Sequence, residues 1–388
     1  MRFFVFYPAH LATGGTELLH QLCSHLNDLG IENYMVYTNC ITHKCPTPNT
    51  FYKYNVKYVT QYIDAPDSVM VLPETQIHNI SLCNKGLIVV WWLSVDNYFS
   101  AYPGLVNNNN IDPFNMKSKK NILHFVQSNY AGTFLSTKLK ISKYYYLSDY
   151  INDDIISIAA SESLKRKNIC LYNPRKGYEN IEPIMKACRN DIQWVPLSGL
   201  SPTALAQIMC LSKVYIDFGS HPGKDRIPRE AACCGCCIIT NKLGSAANST
   251  DICIDEKYKI SDMKNINLVL ETIYDLIDNY EVRQNDFTIY REKILSEKST
   301  FFAEISNAIS IVHKVLQSGN NNQSNISLEQ INHIEEILKS LSYISKELSE
   351  QLDSCNSSDS SDIISHILQA NYLLLLQEEV IDACISNF

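Results

Sequence analysis

The sequence predicts an α/β protein in which two tandem Rossmann-like domains face each other across a cleft, followed by an α-helical extension. Near the start of the chain, a strand, a glycine loop, a helix and a second strand follow one another, which indicates a parallel sheet. Later strands are continuous apolar runs, as expected for strands covered on both faces. A second strand–helix series begins at residue 168, and residues 327–388, which contain no glycine or proline, differ from both series.

Length, charge and cysteine content indicate a multidomain protein with reduced thiols and argue against a nucleic-acid-binding or membrane-spanning protein. The chain has 388 residues, 45% of them hydrophobic, and a formal net charge of −8. This length allows two or three domains, and the negative charge without a long Lys/Arg block argues against nucleic acid as a partner. No apolar run reaches the roughly 18 residues of a membrane-spanning helix. Fourteen cysteines in a long chain without a secretion signal indicate reduced thiols, so we expect a cytoplasmic protein.

The N-terminal Rossmann-like domain is predicted to span residues 1–155. Its first strand covers residues 2–7, and a loop from Pro8 to Gly15 follows it. Thr16 is the expected cap of a helix that stops at Gly30. The other strands predicted for this domain are 32–36, 68–72, 86–92, 124–128 and 143–147.

The C-terminal Rossmann-like domain is predicted to span residues 156–317. We expect its strands at 168–172, 193–197, 214–218, 237–240 and 252–254, and its helices at 179–188, 202–211, 227–234 and 262–280. A long helix over residues 294–315 should close this domain. Residues 318–326, rich in asparagine and serine, are the expected linker.

Residues 327–388 are predicted to form an α-helical tail of two helices, 327–352 and 362–385. Apolar residues recur at helical spacing in this tail and leave a stripe that needs a partner surface. We expect the tail to pack on the body or to support homo-oligomerisation or peripheral membrane contact.

One loop of the second domain combines the features of an anion-binding site. Strand 213–218 is followed by the sequence Ser-His-Pro-Gly-Lys-Asp-Arg over residues 220–226, and then by a short helix that carries Glu230. A loop that leads from a parallel strand to a helix N-terminus is where open α/β sheets bind phosphates. Lys224 and Arg226 add positive charge, and the Glu230 carboxylate suits the paired hydroxyls of a ribose. The loop therefore predicts a site for a nucleoside diphosphate.

Three motifs, read together with the two tandem halves, resemble a family of GT-B glycosyltransferases. They are Gly14-Gly15-Thr16-Glu17, Asn173-Pro174-Arg175-Lys176-Gly177 and Glu230-Ala231-Ala232-Cys233-Cys234-Gly235. They are similar to the Gly-Gly-x-Glu turn, the Lys-Gly phosphate clamp and the Glu-Ala-x-Ala-x-Gly helix of retaining, nucleotide-sugar-dependent transferases that build bacterial capsule, O-antigen and other surface glycans. The resemblance covers roughly residues 1–310.

The resemblance implies a division of labour between the two domains. The C-terminal domain would bind the nucleotide-sugar donor and the N-terminal domain a glycan or lipid-linked glycan acceptor, at the inner face of the membrane. The donor-binding residues that it implies are Gly14, Gly15, Arg175, Lys176, Gly223, Lys224, Asp225, Arg226 and Glu230. Lys176 and Glu230 would also serve catalysis, together with Asp96, which follows a strand in a region where related enzymes place a polar residue near the transferred sugar.

We expect the reaction to need neither a cofactor nor a metal. No Asp-x-Asp pair lies at a strand end, and the acidic clusters at 152–154 and 255–256 lie outside the three motifs. Cationic side chains would therefore neutralise the departing diphosphate. Cys233, Cys234, Cys236 and Cys237 resemble a zinc cluster, but adjacent cysteines do not converge easily on one tetrahedral metal. Buried thiols are the better interpretation.

Simpler explanations exist for each of these residues. Glu230 is stabilised by the helix dipole in any case, the glycine pair suits an ordinary tight turn, and Arg175 and Lys176 could be solvated turn residues. Asp96 could be a structural helix cap. The resemblance is also incomplete, because the family often has a glutamate eight residues before the ribose-binding one, where this chain has Pro222.

Two other functions fit the same sequence. A sugar-nucleotide epimerase uses the same fold with acid/base carboxylates in the cleft. It would alter the free nucleotide sugar, whereas a transferase needs an acceptor. A non-catalytic scaffold of a polysaccharide assembly complex would instead rely on residues 327–388, and its degenerate site should not bind a nucleoside diphosphate.

Overall fold

The computed structural model describes residues 1–40, 44–106, 110–119, 121–162 and 164–320. The predicted helical tail and most of the predicted linker lie outside these residues. Residues Met1–Ser318 form one compact unit. Within the part of the chain that is described, no helix is long and apolar enough to cross a membrane.

The first domain is built on a sheet of seven parallel strands in the order β3-β2-β1-β4-β5-β6-β7. The strands are β1 (Arg2–Pro8), β2 (Asn33–Thr38), β3 (Tyr58–Val59), β4 (Ser68–Pro73), β5 (Leu87–Trp92), β6 (Ile122–Val126) and β7 (Tyr145–Tyr146). Its helices are α1 (Gly14–Asp28), α2 (Val95–Ala101) and α3 (Asn129–Phe134). Successive residues of β1 lie in different cores, with Val5 on one face of the sheet and Phe6 on the other. The continuous apolar runs are explained by burial of both faces.

The second domain is built on five parallel strands in the order β12-β11-β10-β8-β9. The strands are β8 (Lys167–Tyr172), β9 (Gln193–Pro196), β10 (Ser212–Asp217), β11 (Cys237–Asn241) and β12 (Lys259–Ile260). The helices that follow β7 along the chain are α4 (Asp153–Ser161), α5 (Tyr178–Ala187), α6 (Pro202–Leu211), α7 (Arg226–Cys233), α8 (Ile266–Asp278), α9 (Tyr280–Arg283), α10 (Thr288–Leu295) and α11 (Glu297–Asn320). Two parallel sheets in sequence confirm the predicted α/β class.

The chain crosses between the domains at two places. Ile151 and Ile155 belong to the core of the second domain, so α4, which contains the predicted boundary, packs on that domain. Helix α11 crosses back: Phe301, Ile305 and Val312 lie in the core of the first domain. The expectation that this helix closes the second domain is therefore wrong. Its apolar stripe packs on the same face of the first sheet as α1. Periodicity alone does not say which sheet a stripe covers.

Two local expectations also change. The predicted strand at 252–254 is wrong, because Ile252 and Ile254 are buried in a loop and β12 pairs with β11 instead. Helix α1 is capped by Thr13, since the Thr16 backbone N–H donates to its hydroxyl and the Thr13 N–H donates to the Thr16 hydroxyl at 2.7 Å. This reciprocal cap starts the helix three residues earlier than expected.

Candidate functional site

A cavity of about 890 Å³ lies between the carboxyl ends of the two sheets. The first domain contributes the loop after β1, the start of α1 and the residues that follow β4 and β5. The second domain contributes the loop between β10 and α7. Both sheets therefore present the edge at which open α/β sheets bind their ligands.

The cavity brings together seven of the residues that the sequence predicted. They are Gly14, Gly15, Gly223, Lys224, Asp225, Arg226 and Glu230. Three predicted residues do not line it. The Arg175 side chain is exposed, Lys176 lies behind Asp225, and the Asp96 carboxylate accepts a hydrogen bond from the Tyr130 hydroxyl at 2.8 Å. The roles of all ten residues stay predictions.

Arg226 spans the cavity from the second domain to the first. Its Nη1 lies 2.5 Å from Glu17 Oε2, and its Nη2 donates to Gln21 Oε1 at 3.2 Å. The aliphatic part of the side chain covers Gly14, where a Cβ would come within 3.1 Å of Arg226 Cδ. The glycine thus leaves room for a cation above the first turn of α1. Lys53 Nζ, 3.6 Å from Glu17 Oε1, adds a second cation.

Lys176 is held by carboxylates rather than by solvent. Its Nζ lies 2.5 Å from Asp225 Oδ2 and 3.4 Å from Asp217 Oδ2, and it donates to the Ser220 carbonyl at 2.9 Å. Burial lowers the pKa of Lys176, but the two aspartates outweigh it and raise the pKa above the ordinary value. The following Gly177 has a φ of +70° and touches the Phe218 backbone so closely that a Cβ would clash. The turn is thereby pressed against the end of β10.

Asp217, His221 and Asp225 are the one group within the described ranges whose ligand atoms are close enough to hold a metal ion. The sequence reasoning missed this group, which spans the end of β10 and the loop between β10 and α7. His221 Nδ1 lies 2.9 Å from Asp225 Oδ2, whereas its Nε2 points to Asp217 Oδ1 at 3.9 Å. The imidazole thus lies between the carboxylates with a different nitrogen towards each. Because Lys176 also contacts both aspartates, an ammonium already supplies positive charge there.

Lys224 belongs to a buried cluster of four charges. Its Nζ lies 2.7 Å from Glu297 Oε1 and 3.6 Å from Asp149 Oδ1. Arg229, which is fully buried, contacts the same two carboxylates at 2.6 Å each. Burial raises the pKa of Asp149, but the nearby cations outweigh it and hold that pKa below the ordinary value. The cluster connects α7 with Asp149, which precedes α4, and with Glu297, which begins α11. Removing one partner of a buried ion pair typically lowers the free energy of unfolding by about 3–5 kcal/mol.

Glu230 faces the cavity without a partner. It is 8% exposed, and among the residues that the structure describes its carboxylate makes no hydrogen bond or ion pair. Burial raises its pKa, although Arg226 and Arg229 oppose the change. A buried carboxylate without a partner is costly unless a ligand supplies hydrogen bonds.

Glu74 is a second buried carboxylate at this cavity, and the sequence reasoning missed it. It follows β4 directly, and the Leu93 N–H donates to its Oε2 at 2.9 Å. Burial raises its pKa to about 7, although the backbone N–H groups of Leu93 and Ser94 act in the other direction. An acid placed directly after a buried-type strand was the signal that could have identified it.

The cysteines of the β11 region are part of the second core. Cys234, Cys236 and Cys237 are buried among apolar side chains, and the Cys236 thiol donates to the Met209 carbonyl at 3.2 Å. Burial raises the pKa of Cys236 and Cys237 to about 12, which favours neutral thiols. Their packing suits small apolar residues. That they bind no zinc stays a prediction.

The fold is similar to that of solved glycosyltransferase structures. A glycosyltransferase from Rickettsia africae ESF-5 has a TM-score of 0.56 at 11% identity, over 81% of this chain and 98% of that chain. Anabaena HepE, solved in complex with UDP-glucose, has a TM-score of 0.56 at 9% identity, over 80% and 99%. Sucrose-phosphate synthase from Thermosynechococcus elongatus has a TM-score of 0.53 at 12% identity, over 82% and 99%.

These comparisons define the class of fold. Two Rossmann-like domains with a cavity between the carboxyl ends of their sheets give the chain the GT-B fold, as the sequence predicted. At identities this low, the likeness shows the fold alone. Neither a protein-family model nor a curated protein sequence matches the chain.

Proposed function

We propose that the protein is a glycosyltransferase that moves a sugar from a nucleotide-sugar donor to a hydroxyl of a growing surface glycan. The observation that carries the proposal is Glu230, a buried carboxylate without a partner, which faces the cavity from the first turns of α7. Ribose hydroxyls would supply the hydrogen bonds that it lacks. The likeness to HepE, which was solved with UDP-glucose, makes UDP-sugars the first donors to test.

The donor diphosphate would be neutralised by side chains of the protein. Arg226 lines the cavity and Lys176 lies directly behind its wall, and each has a carboxylate partner. A diphosphate would compete with Glu17 for Arg226 and with Asp225 for Lys176. Once the competing carboxylate is displaced, each cation would stabilise the negative charge that develops on the departing diphosphate. Lys224 has a different place in this proposal, because it neutralises the buried carboxylates beneath the loop.

The finer features of the reaction rest on the sequence, partly on the family resemblance and partly on the absence of an Asp-x-Asp pair at a strand end. We propose retention of the anomeric configuration, independence of divalent metals, and an acceptor that is a glycan or lipid-linked glycan at the cytoplasmic face of the inner membrane. NMR of the product tests the stereochemistry, since retention requires the anomer of the donor to persist. A product with the inverted anomeric configuration would contradict retention but not glycosyl transfer itself.

A thermal-shift screen of UDP, GDP, dTDP and their sugars tests donor binding. Ligand at about 100 times its Kd should stabilise the protein by roughly 2.7 kcal/mol, which gives a visible shift. The same screen on Glu230→Gln should show a much smaller shift. Absence of any shift with wild-type protein would contradict the proposal and favour the non-catalytic scaffold.

An epimerase is the second candidate, because two buried carboxylates, Glu74 and Glu230, line one cavity. Such a pair could exchange protons with a bound sugar. The two functions differ in what happens to the donor alone. An epimerase converts the nucleotide sugar to its isomer without acceptor, whereas a transferase releases only free sugar by slow hydrolysis.

A further inference from the structure

Glu74 is fixed at the wall of the cavity on the side of the first domain. It is 3% exposed, and the Leu93 N–H holds one of its carboxylate oxygens at 2.9 Å. Thr75 and Ser94 line the cavity beside it. A carboxylate can accept about four hydrogen bonds, so Glu74 keeps acceptor capacity for a ligand beyond the backbone N–H groups of Leu93, Ser94 and Glu74 itself.

The acids that line the cavity divide into those with an ion-pair partner and those without one. Within the described part of the chain, Glu74 and Glu230 make no ion pair, whereas the remaining cavity acids do. Those paired acids and their cations are Glu17 with Arg226, Asp149 with Arg229, Asp154 with Lys53 and Asp225 with Lys176. The two domains thus contribute one unpaired carboxylate each, Glu74 from the first and Glu230 from the second.

Leu93, which donates to Glu74, and the following Ser94 also contact the loop between β10 and α7, which we call the donor loop. Ser94 forms an antiparallel bridge with Gly223, and the Leu93 carbonyl approaches Gly223 so closely that a Cβ there would clash. Glu74 is therefore linked through a single residue, Leu93, to the contact between the first domain and the donor loop. A group bound to Glu74 would lie beside this contact, on the side of the first domain.

We propose that Glu74 binds a hydroxyl of the sugar acceptor and orients it towards the donor loop. The acceptor chemistry that fits is a glycoside or lipid-linked glycan with a free hydroxyl. Hydrogen bonds from a hydroxyl to an ionised carboxylate are roughly twice as strong as neutral ones. The inference rests on the proposed glycosyl transfer and assigns an acceptor-binding residue to it.

Glu74→Gln is the informative variant, because the amide oxygen still accepts from the Leu93 N–H while the charge is lost. Wild type and variant are incubated with the UDP-, GDP- or dTDP-sugar that the wild type hydrolyses, together with a panel of p-nitrophenyl glycosides as acceptor probes. Transfer to the glycoside and release of free sugar are measured in the same reaction. Water needs no positioning by Glu74, so the ratio of transfer to hydrolysis isolates acceptor binding.

In Glu74→Gln we expect the ratio of transfer to hydrolysis to fall by about tenfold or more, the loss typical of one charged hydrogen bond. The KM of the glycoside should rise, and the Kd of the donor should stay within about twofold, since the amide preserves the fold. Glu281→Gln, at an exposed position without an ion pair in the described residues, is the matched control and should keep the wild-type ratio.

Three outcomes would overturn the inference. An unchanged ratio in Glu74→Gln would remove Glu74 from the acceptor site. An equal loss of hydrolysis and donor binding would assign Glu74 to the donor. Hydrolysis by wild type without transfer to any glycoside would also count against it, since the site should accept simple glycosides. In each of these cases the wild type still hydrolyses the nucleotide sugar, so the proposed function is not contradicted. A wild-type protein that binds no nucleotide would contradict the proposed function itself.

Discussion

The Arg226 guanidinium and the Glu17 carboxylate join the two domains across the cavity, with Nη1 2.5 Å from Oε2. Arg226 begins α7 of the second domain, and Glu17 lies in the first turn of α1. The pair occupies the space above Gly14 where a negatively charged ligand would meet the N-terminus of α1. A diphosphate must therefore compete with Glu17 for this cation.

The pair leads to opposite predictions for its two members. Arg226→Ala should weaken UDP binding by about tenfold or more, because a charge-assisted hydrogen bond is lost. Glu17→Gln should strengthen UDP binding, because the Arg226 guanidinium then gives up no ion pair when it binds the diphosphate. Isothermal titration calorimetry measures both. Arg189→Ala is the control, since Arg189 pairs with Asp278 away from the cavity. Equal UDP affinity in Arg226→Ala and wild type would place Arg226 in domain contact alone.

Glu230→Gln should lose donor affinity and activity without losing stability. The carboxylate has no partner within the described residues, so its replacement by an amide breaks no ion pair in the ligand-free protein. Donor binding should fall by about tenfold or more, since hydrogen bonds to a charged group contribute roughly 1.5–3 kcal/mol. Calorimetry with UDP and thermal unfolding without ligand measure the two effects. A variant that unfolds at lower temperature and binds UDP normally would indicate a structural carboxylate.

Lys176→Ala should lower the turnover rate more than donor binding. The negative charge on the diphosphate grows as the sugar leaves, so a cation there stabilises the transition state more than the ground state. We expect kcat to fall by about a hundredfold, the loss seen when one preorganised electrostatic contact is removed. Lys186→Ala is the matched control, because Lys186 is exposed and, within the described residues, pairs with Glu182 alone. Comparable kcat values for the two variants would make Lys176 a structural partner of Asp225.

Glu74 should make the stability of the ligand-free protein depend on pH. Its pKa is about 7 in the folded protein against an ordinary 4.5, so the folded state holds the proton more tightly. This stabilisation is fully present below pH 4.5 and is lost as the pH rises through about 7. At about 1.4 kcal/mol per pKa unit, the loss is about 3 kcal/mol. Urea unfolding at pH 4.5 and pH 8 measures it.

Glu74→Gln removes the titrating group, so its unfolding free energy should fall less than that of wild type between these pH values. Glu281→Gln should keep the wild-type dependence, because Glu281 is exposed. Parallel pH profiles for Glu74→Gln and wild type would contradict the raised pKa of Glu74.

The reaction should proceed in excess chelator. Lys176 lies between the carboxylates that would otherwise hold a cation, and Arg226 provides positive charge within the cavity. Activity in EDTA and metal analysis of the purified protein test this directly, and the same analysis should find no zinc on the β11 cysteines. Activity that disappears in EDTA and returns with Mg²⁺ or Mn²⁺ would assign Asp217, His221 and Asp225 to a metal site.

Much of the fold could be predicted because its signals are local. The apolar runs of β1, β5, β10 and β11 identify strands buried on both faces, and the glycine loop marks the start of α1. Glu230 could be placed at the cavity for the same reason, since a strand, a loop and a helix N-terminus are adjacent in the chain. The stripe of α11 was equally visible, but nothing local says that it covers the first sheet.

The sequence by itself determined the two α/β domains and the loop between β10 and α7 that faces the cleft. The tertiary structure alone decided which charged side chains of the cavity form ion pairs and which do not. Lys224 and Arg229 are turned to Asp149 and Glu297, Arg226 to Glu17, and Lys176 to Asp225. Glu74 and Glu230 form no ion pair within the described residues. Hydrophobic periodicity is encoded locally, whereas a buried charge takes its partner from whichever segment packs beside it, and most of these partners are far apart in the chain.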